Sequence, residues 1–89
     1  MKYRKTALIE AFQWFDDRPM TWPQWAMDAN LKTISETQSD GAVKNRLMVD
    51  TLEGMLFARP GDWIARGVHG EIWPIKPDIF AESYEAVEG

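Results

Sequence analysis

The sequence predicts an α+β fold in a single small domain, residues 1–89, with one α-helix packed on a curled antiparallel β-sheet. A length of 89 residues leaves room for one hydrophobic core. In the second half of the chain, short apolar segments alternate with turns rich in Gly, Pro and Asp, which is typical of a strand meander. One segment after residue 20 has helical spacing instead. We expect a meander, with edge closure into a partly open barrel as the alternative.

The first strand is predicted within Tyr3–Phe15, where alternation places Glu10 on the same face as Phe12 and Trp14. Apolar residues occupy both faces of this segment, which favours a central strand over an edge strand. A glutamate on so apolar a face must find a partner if it is buried, or lie at the rim of that face. Glu10 is thus a candidate buried polar residue. We favour a structural ion pair with an arginine such as Arg59 or Arg66, and we expect Glu10→Gln to destabilise the fold.

The predicted helix begins after an N-cap at Thr21 and ends near Leu31. Thr21 and Gln24 have the T-x-x-Q spacing of a capping box. Met20 and Trp25 stand at the two positions of a hydrophobic staple. The polar segment that follows, residues 35–45, is predicted to be a loop.

Four turns are predicted after the helix, at Asp40–Gly41, Glu53–Gly54, Pro60–Gly61 and 68–71. Short strands are predicted between the later turns, and Pro74 requires an edge or a bulge because proline cannot donate to a ladder. A single helical turn is predicted from Lys76–Asp78, on which Phe80 and Tyr84 could meet. Residues 83–87 are predicted to form the closing strand.

The residue types present argue against several chemistries. There is no cysteine, so disulfides, thiolate nucleophiles and cysteine-based zinc sites are excluded. His69 is the single histidine and is predicted to face water in a turn, so no metal site and no cofactor are expected. The glycines at 61, 67 and 70 do not form a phosphate-binding pattern.

Charge and hydropathy limit the partners. The net charge of −4 disfavours binding to nucleic acid, which depends on clustered Lys and Arg. No apolar run approaches the roughly 20 residues that a membrane-spanning helix needs. Glu10 interrupts the short apolar stretch near the N-terminus, and no signal-peptide cleavage pattern follows it. The expected location is therefore the cytoplasm.

Two kinds of candidate site can be drawn from the remaining residues. General acid–base chemistry would need Glu10 together with Asp62 or Glu71 in one cleft. The five tryptophans could form a stacking platform, but the core is the favoured place for them in so short a chain. Trp63 and Trp73 are expected to point into that core. A binding site on the turn-rich segment would use Trp63, Arg66, Glu71, Lys76 and Asp78.

The two ends of the chain carry a series of motifs: a YRK opening, an IEAxQW strand, and then PGDWI, GVxGE and KPDIFxxxYE. In these motifs the chain resembles a family of small uncharacterised proteins encoded by bacteriophages and prophages. The matching positions are Tyr3–Lys5, Ile9–Ala11, Gln13–Trp14, Pro60–Ile64, Gly67–Val68, Gly70–Glu71, Pro74, Lys76–Phe80 and Tyr84–Glu85.

The chain departs from that pattern at Ile75, where the family has cysteine, and residues 18–43 match no part of it. If that cysteine has a chemical role in the family, this chain lacks it. The resemblance implies a phage or prophage origin and no mechanism.

These observations predict a non-enzymatic accessory protein that binds a host or phage protein, with a homo-oligomer as a further form of association. The alternative is a small-molecule or nucleotide-binding protein that uses the Arg59–Tyr84 segment. An enzyme based on the three carboxylates is the third hypothesis.

Overall fold

A computed structural model of the protein describes residues 1–3, 8–16 and 21–87. These residues form six β-strands and two α-helices, and the α+β class predicted from the sequence is confirmed. The strands are β1 (Glu10–Gln13), β2 (Lys32–Thr37), β3 (Val43–Thr51), β4 (Gly54–Ala58), β5 (Trp63–Arg66) and β6 (Ile72–Ile75). The helices are α1 (Gln24–Asp28) and α2 (Pro77–Ser83).

The strands belong to two antiparallel three-stranded sheets, ordered β1-β5-β6 and β2-β3-β4. The described residues do not close into a barrel. Although β4 and β5 are consecutive, they do not pair, because the turn at Pro60–Gly61 carries the chain from one sheet to the other. The meander is therefore split, and the core lies where the two sheets pack on each other.

Strand β1 lies at the edge of its sheet, so the prediction of a central strand is wrong. The central strand is β5, whose Ile64 and Ala65 are fully buried. Apolar residues occur on both faces of β1 because α1 and the residues before it cover part of this strand. The Phe12 ring lies 5.8 Å from that of Trp22 and 5.6 Å from that of Trp25.

Helix α1 is shorter than predicted, and the capping box does not form. Pro23 occupies the N-cap position, where no side chain caps the helix. A residue before proline is disfavoured in the helical region, so the helix cannot include Trp22. The Gln24 amide instead donates to the Asp28 carboxylate one turn further on, at 3.0 Å. Met20, and with it the predicted staple, lies outside the described residues.

Most of the predicted loop at residues 35–45 is strand. Strand β2 pairs with β3 over its whole length, and the Ser35 hydroxyl donates to the Asn45 side chain across the pair at 2.6 Å. The turn at Asp40–Gly41 is confirmed: Gly41 has φ +88°, and the Asp40 carboxylate accepts the Ala42 N–H at 3.0 Å. Polar residues form strand here because β2 is largely exposed and needs only a partner strand.

The predicted turn at Pro60–Gly61 is confirmed, together with the role of Asp62 in it. Gly61 has φ +100°, as position i+2 of a type II turn requires, and the Asp62 N–H donates to the Arg59 carbonyl at 2.9 Å. The Asp62 carboxylate accepts the Arg59 N–H at 2.9 Å. Pro74 lies in β6 at a sheet edge, as predicted.

The end of the described chain differs from the prediction. Pro77 does occupy the first turn of a helix, but α2 extends for seven residues, and residues 84–87 form no strand. The Phe80 ring stacks on Trp63 at 3.9 Å between centroids and on Tyr84 at 5.2 Å. Through Phe80, these contacts hold Tyr84 next to Trp63 of β5, and Tyr84 does not join a sheet.

The core contains two of the five tryptophans. Its buried residues come from both sheets and from α1 with the segment before it: Trp14, Trp22, Ala26, Leu47, Val49, Ala58 and Ile64. Trp63 and Trp73 were predicted to point into the core, and both are only half-buried. Helix α2 packs on Trp63 instead, because Phe80 of this helix covers the Trp63 ring.

Candidate functional site

The five residues predicted as a binding site do not meet in one place. In the register of β5 and β6, Trp63 pairs with Ile75, whereas Arg66 pairs with Ile72. These pairs are three residues apart, which is roughly 10 Å along a strand. Lys76 and Asp78 follow the Trp63 end, and Glu71 precedes the Arg66 end.

Members of the two groups line different surface cavities. Lys76 and Asp78 line a cavity of about 420 Å³ beside Phe57 and Arg59. Glu71 lines a cavity of about 240 Å³ between the β3–β4 turn and the start of β6. The predicted binding site therefore combines residues that the register of β5 and β6 places apart.

Arg66 forms the ion pair expected for Glu10. Its Nη2 lies 3.0 Å from Oε1 of Glu10, and its guanidinium carbon lies 5.6 Å from the centroid of the Trp25 ring. The choice between Arg59 and Arg66 is thereby settled in favour of Arg66. The Glu10 side chain is 60% exposed, however, so its predicted burial is wrong. The reason is that β1 is an edge strand.

We expect Glu10→Gln to lower the free energy of unfolding by less than about 1 kcal/mol, since exposed ion pairs contribute little. Urea denaturation followed by circular dichroism measures this difference. Glu36→Gln is the matched control, because Glu36 forms another exposed pair, with Arg46 at 3.5 Å. A loss above about 2 kcal/mol for Glu10→Gln would restore the strong structural role predicted from the sequence.

The three carboxylates proposed for acid–base chemistry each have a local partner. Asp62 fixes its own turn, and Glu71 accepts the His69 N–H at 3.0 Å. Gly67 leaves room for this bond, since a Cβ there would clash with the Glu71 carboxylate. Glu10 and Asp62 lie at opposite ends of the β1–β5 pair, so that pairing of an acid with a base has the wrong geometry.

His69 is exposed in its turn, as predicted. Within residues 1–3, 8–16 and 21–87, no three acidic or histidine side chains approach one another closely enough to hold a metal ion. No helix in the same ranges is both long enough and apolar enough to cross a membrane.

A different feature was missed by the sequence analysis. Strand β4 carries three consecutive large apolar side chains that remain exposed: Met55 at 46%, Leu56 at 41% and Phe57 at 47%. We call these three residues the β4 surface. Strand β4 is the edge of its sheet, so among the described residues no second strand pairs with it along its other long side.

The register of the β3–β4 hairpin determines which backbone groups of β4 are free. Thr51 pairs with Gly54 across a two-residue turn, and such a closing pair is hydrogen-bonded. Because hydrogen-bonded pairs alternate along an antiparallel ladder, Leu56 bonds β3, whereas the N–H and C=O of Met55 and Phe57 point away from it. No hydrogen bond within the described ranges satisfies these outward groups.

Two other sheet edges carry features that discourage strand addition. Strand β2 has Lys32 and Glu36, and β6 has Pro74, which removes a donor. Strand β4 has neither a charge nor a proline between Gly54 and Ala58. The sequence signal for this exposed edge was a short apolar run without alternation. A domain of this size cannot cover both faces of such a strand.

The fold and this surface define a small α+β domain with an unprotected apolar edge strand. No family model matches the chain, and neither a curated protein nor a solved structure matches it.

Proposed function

We propose that this protein is a non-catalytic binding module of phage or prophage origin, which acts in the host cytoplasm by binding a host or phage protein through the β4 surface. The observation that carries the proposal is the run of three exposed apolar residues on a sheet edge without a charge or a proline. The net charge of −4 is consistent with a protein partner rather than a nucleic acid.

Such an edge can bind in two ways at once. The outward N–H and C=O groups of Met55 and Phe57 can accept an extended segment as an additional strand. Fully burying a side chain of this size contributes about 1.5–3 kcal/mol, so each half-exposed residue can add roughly half of that. Backbone pairing and apolar burial together give an affinity that neither would supply alone.

The alternative function, a small-molecule or nucleotide site in the Arg59–Tyr84 segment, has less support. Its aromatic residue Trp63 is covered on one face by Phe80. Glu71 lines one cavity, Lys76 and Asp78 line another, and Arg66 lines neither of them.

Affinity capture with matched variants tests the proposal. We expect proteins retained from a bacterial lysate by the immobilised wild-type chain to be lost with Phe57→Lys, which places a charge on the outer face of the edge strand. Val68→Lys is the control, since Val68 is an apolar residue in the β5–β6 turn and is even more exposed, at 66%, than Phe57. Circular dichroism verifies that both variants are folded.

Two results would contradict the proposed surface. One is that every captured protein is retained equally by Phe57→Lys and wild type. The other is that Val68→Lys loses the same proteins as Phe57→Lys, because the effect would then follow from added charge rather than from the site.

A further inference from the structure

We infer that the β4 surface pairs with the β4 surface of a second copy of this chain, as two antiparallel strands related by a twofold axis at Leu56. This inference rests on the proposed function, since it takes the same surface as the binding site and names its partner. The result would be a continuous six-stranded sheet in the order β2-β3-β4 followed by the partner's β4-β3-β2.

The free backbone groups of β4 are spaced for this arrangement. An axis at Leu56 places Met55 opposite the partner's Phe57, and Phe57 opposite the partner's Met55. Both residues point their N–H and C=O groups outward, so each of these pairs can exchange two hydrogen bonds. Leu56 meets the partner's Leu56 in the closer, non-hydrogen-bonded position, where side chains pack best.

Charge complementarity distinguishes this register from the others. Glu53 and Arg59 flank β4, and each is three residues from Leu56. The twofold axis therefore places each Glu53 opposite the partner's Arg59, twice in the dimer. Neither side chain has an ion pair within the described ranges, so both charges are available. Moving the axis to Met55 or to Phe57 would break both pairs.

The area of the contact predicts a weak dimer. An aromatic side chain can bury roughly 150–250 Å², so half-exposed Phe57 can add about half of that in each copy, and Met55 and Leu56 no more than this each. The total is below the roughly 1,200 Å² of standard specific interfaces. We therefore expect association that depends strongly on concentration, with a dissociation constant in the micromolar range or weaker.

A charge swap measured by sedimentation velocity tests this pairing. We expect the wild-type chain to dimerise as its concentration is raised, and Glu53→Arg or Arg59→Glu alone to weaken dimerisation about tenfold, because each opposes like charges at both ends. The double variant Glu53→Arg/Arg59→Glu should recover most of the affinity. Both sites are exposed, so folding is preserved, and circular dichroism verifies it.

Each contrary result has a distinct meaning. If wild type remains monomeric at the highest concentration while Phe57→Lys still loses captured proteins, the dimer is overturned and the proposed function stands. If wild type is monomeric and capture is independent of Phe57, both fail. If wild type dimerises but neither single charge change weakens it, the pairing of β4 with β4 in this register is overturned.

Discussion

Trp14→Ala is expected to lower the free energy of unfolding by about 3–5 kcal/mol, the largest effect predicted for a single substitution in this chain. Trp14 is the largest fully buried side chain among the described residues. It directly follows β1, and its backbone joins that strand to the Pro60–Gly61 turn: its N–H donates to Asp62 at 2.9 Å, and its carbonyl accepts from Gly61 at 2.6 Å. The substitution leaves a cavity where the two sheets meet.

The measurement is urea denaturation followed by far-ultraviolet circular dichroism. A loss of this size is a large fraction of the roughly 5–15 kcal/mol that stabilises a typical domain, so Trp14→Ala could be partly unfolded without denaturant. Trp14→Phe keeps the experiment informative, because it preserves most of the apolar volume.

Trp14→Phe also tests an unusual property of the core. The indole Nε1 atoms of Trp14 and Trp22 are buried without a hydrogen-bond partner in the described part of the chain. An unsatisfied buried donor costs about 1–3 kcal/mol, and phenylalanine removes it at position 14. This gain offsets the smaller ring, so we expect Trp14→Phe to remain within about 1 kcal/mol of wild type. A loss as large as that of Trp14→Ala would mean that the indole N–H is satisfied.

The turns of the second half could be predicted because their signals are local. Pro60 fixes one backbone angle, Gly61 permits a positive φ, and Asp62 reaches back to the turn backbone, all within four consecutive residues. The same is true of Pro77 at the start of α2. Each of these elements depends on conformational preferences of a few consecutive residues, and these preferences do not require contacts with the rest of the fold.

The division into two sheets could not be predicted, because it depends on which strands meet at a distance. Strand β1 pairs with β5 across more than 50 residues, from Glu10 to Arg66, and nothing within β1 identifies that partner. The sequence of β2 predicts a loop for the same reason, since pairing with β3 decides the conformation of this polar segment.

The candidate site was predicted less well than the turns. Proximity in sequence predicts one site for the charged residues, but Arg66 pairs with the start of β6, whereas Lys76 follows its end. The ion pair of Glu10 with Arg66 could be predicted in part. Alternation along the strand indicated the face on which Glu10 lies, and an arginine was the expected partner. The β4 surface was missed because an apolar run normally indicates core.

Leu47→Ala is expected to lower the free energy of unfolding by about 2–5 kcal/mol, whereas Met48→Ala, at the next position, should lower it by less than about 1.5 kcal/mol. Leu47 is fully buried and pairs with Ala58, the buried end of β4. Met48 points to the opposite face of β3, where it pairs with exposed Phe57. Urea denaturation of the two variants compares the faces directly.

Equal losses for these neighbours would mean that the outer face of the β2-β3-β4 sheet is covered, and the β4 surface could not then be a free binding site. Unequal losses in the expected order have a functional consequence. Leu47 then anchors the sheet through its buried face, and pairing with β3 holds Met55 and Phe57 in a strand whose other edge stays open to a partner. Met48→Ala should then leave the fold intact and weaken β4-dependent association, because it removes an apolar contact beside Phe57 on the surface that a partner strand extends.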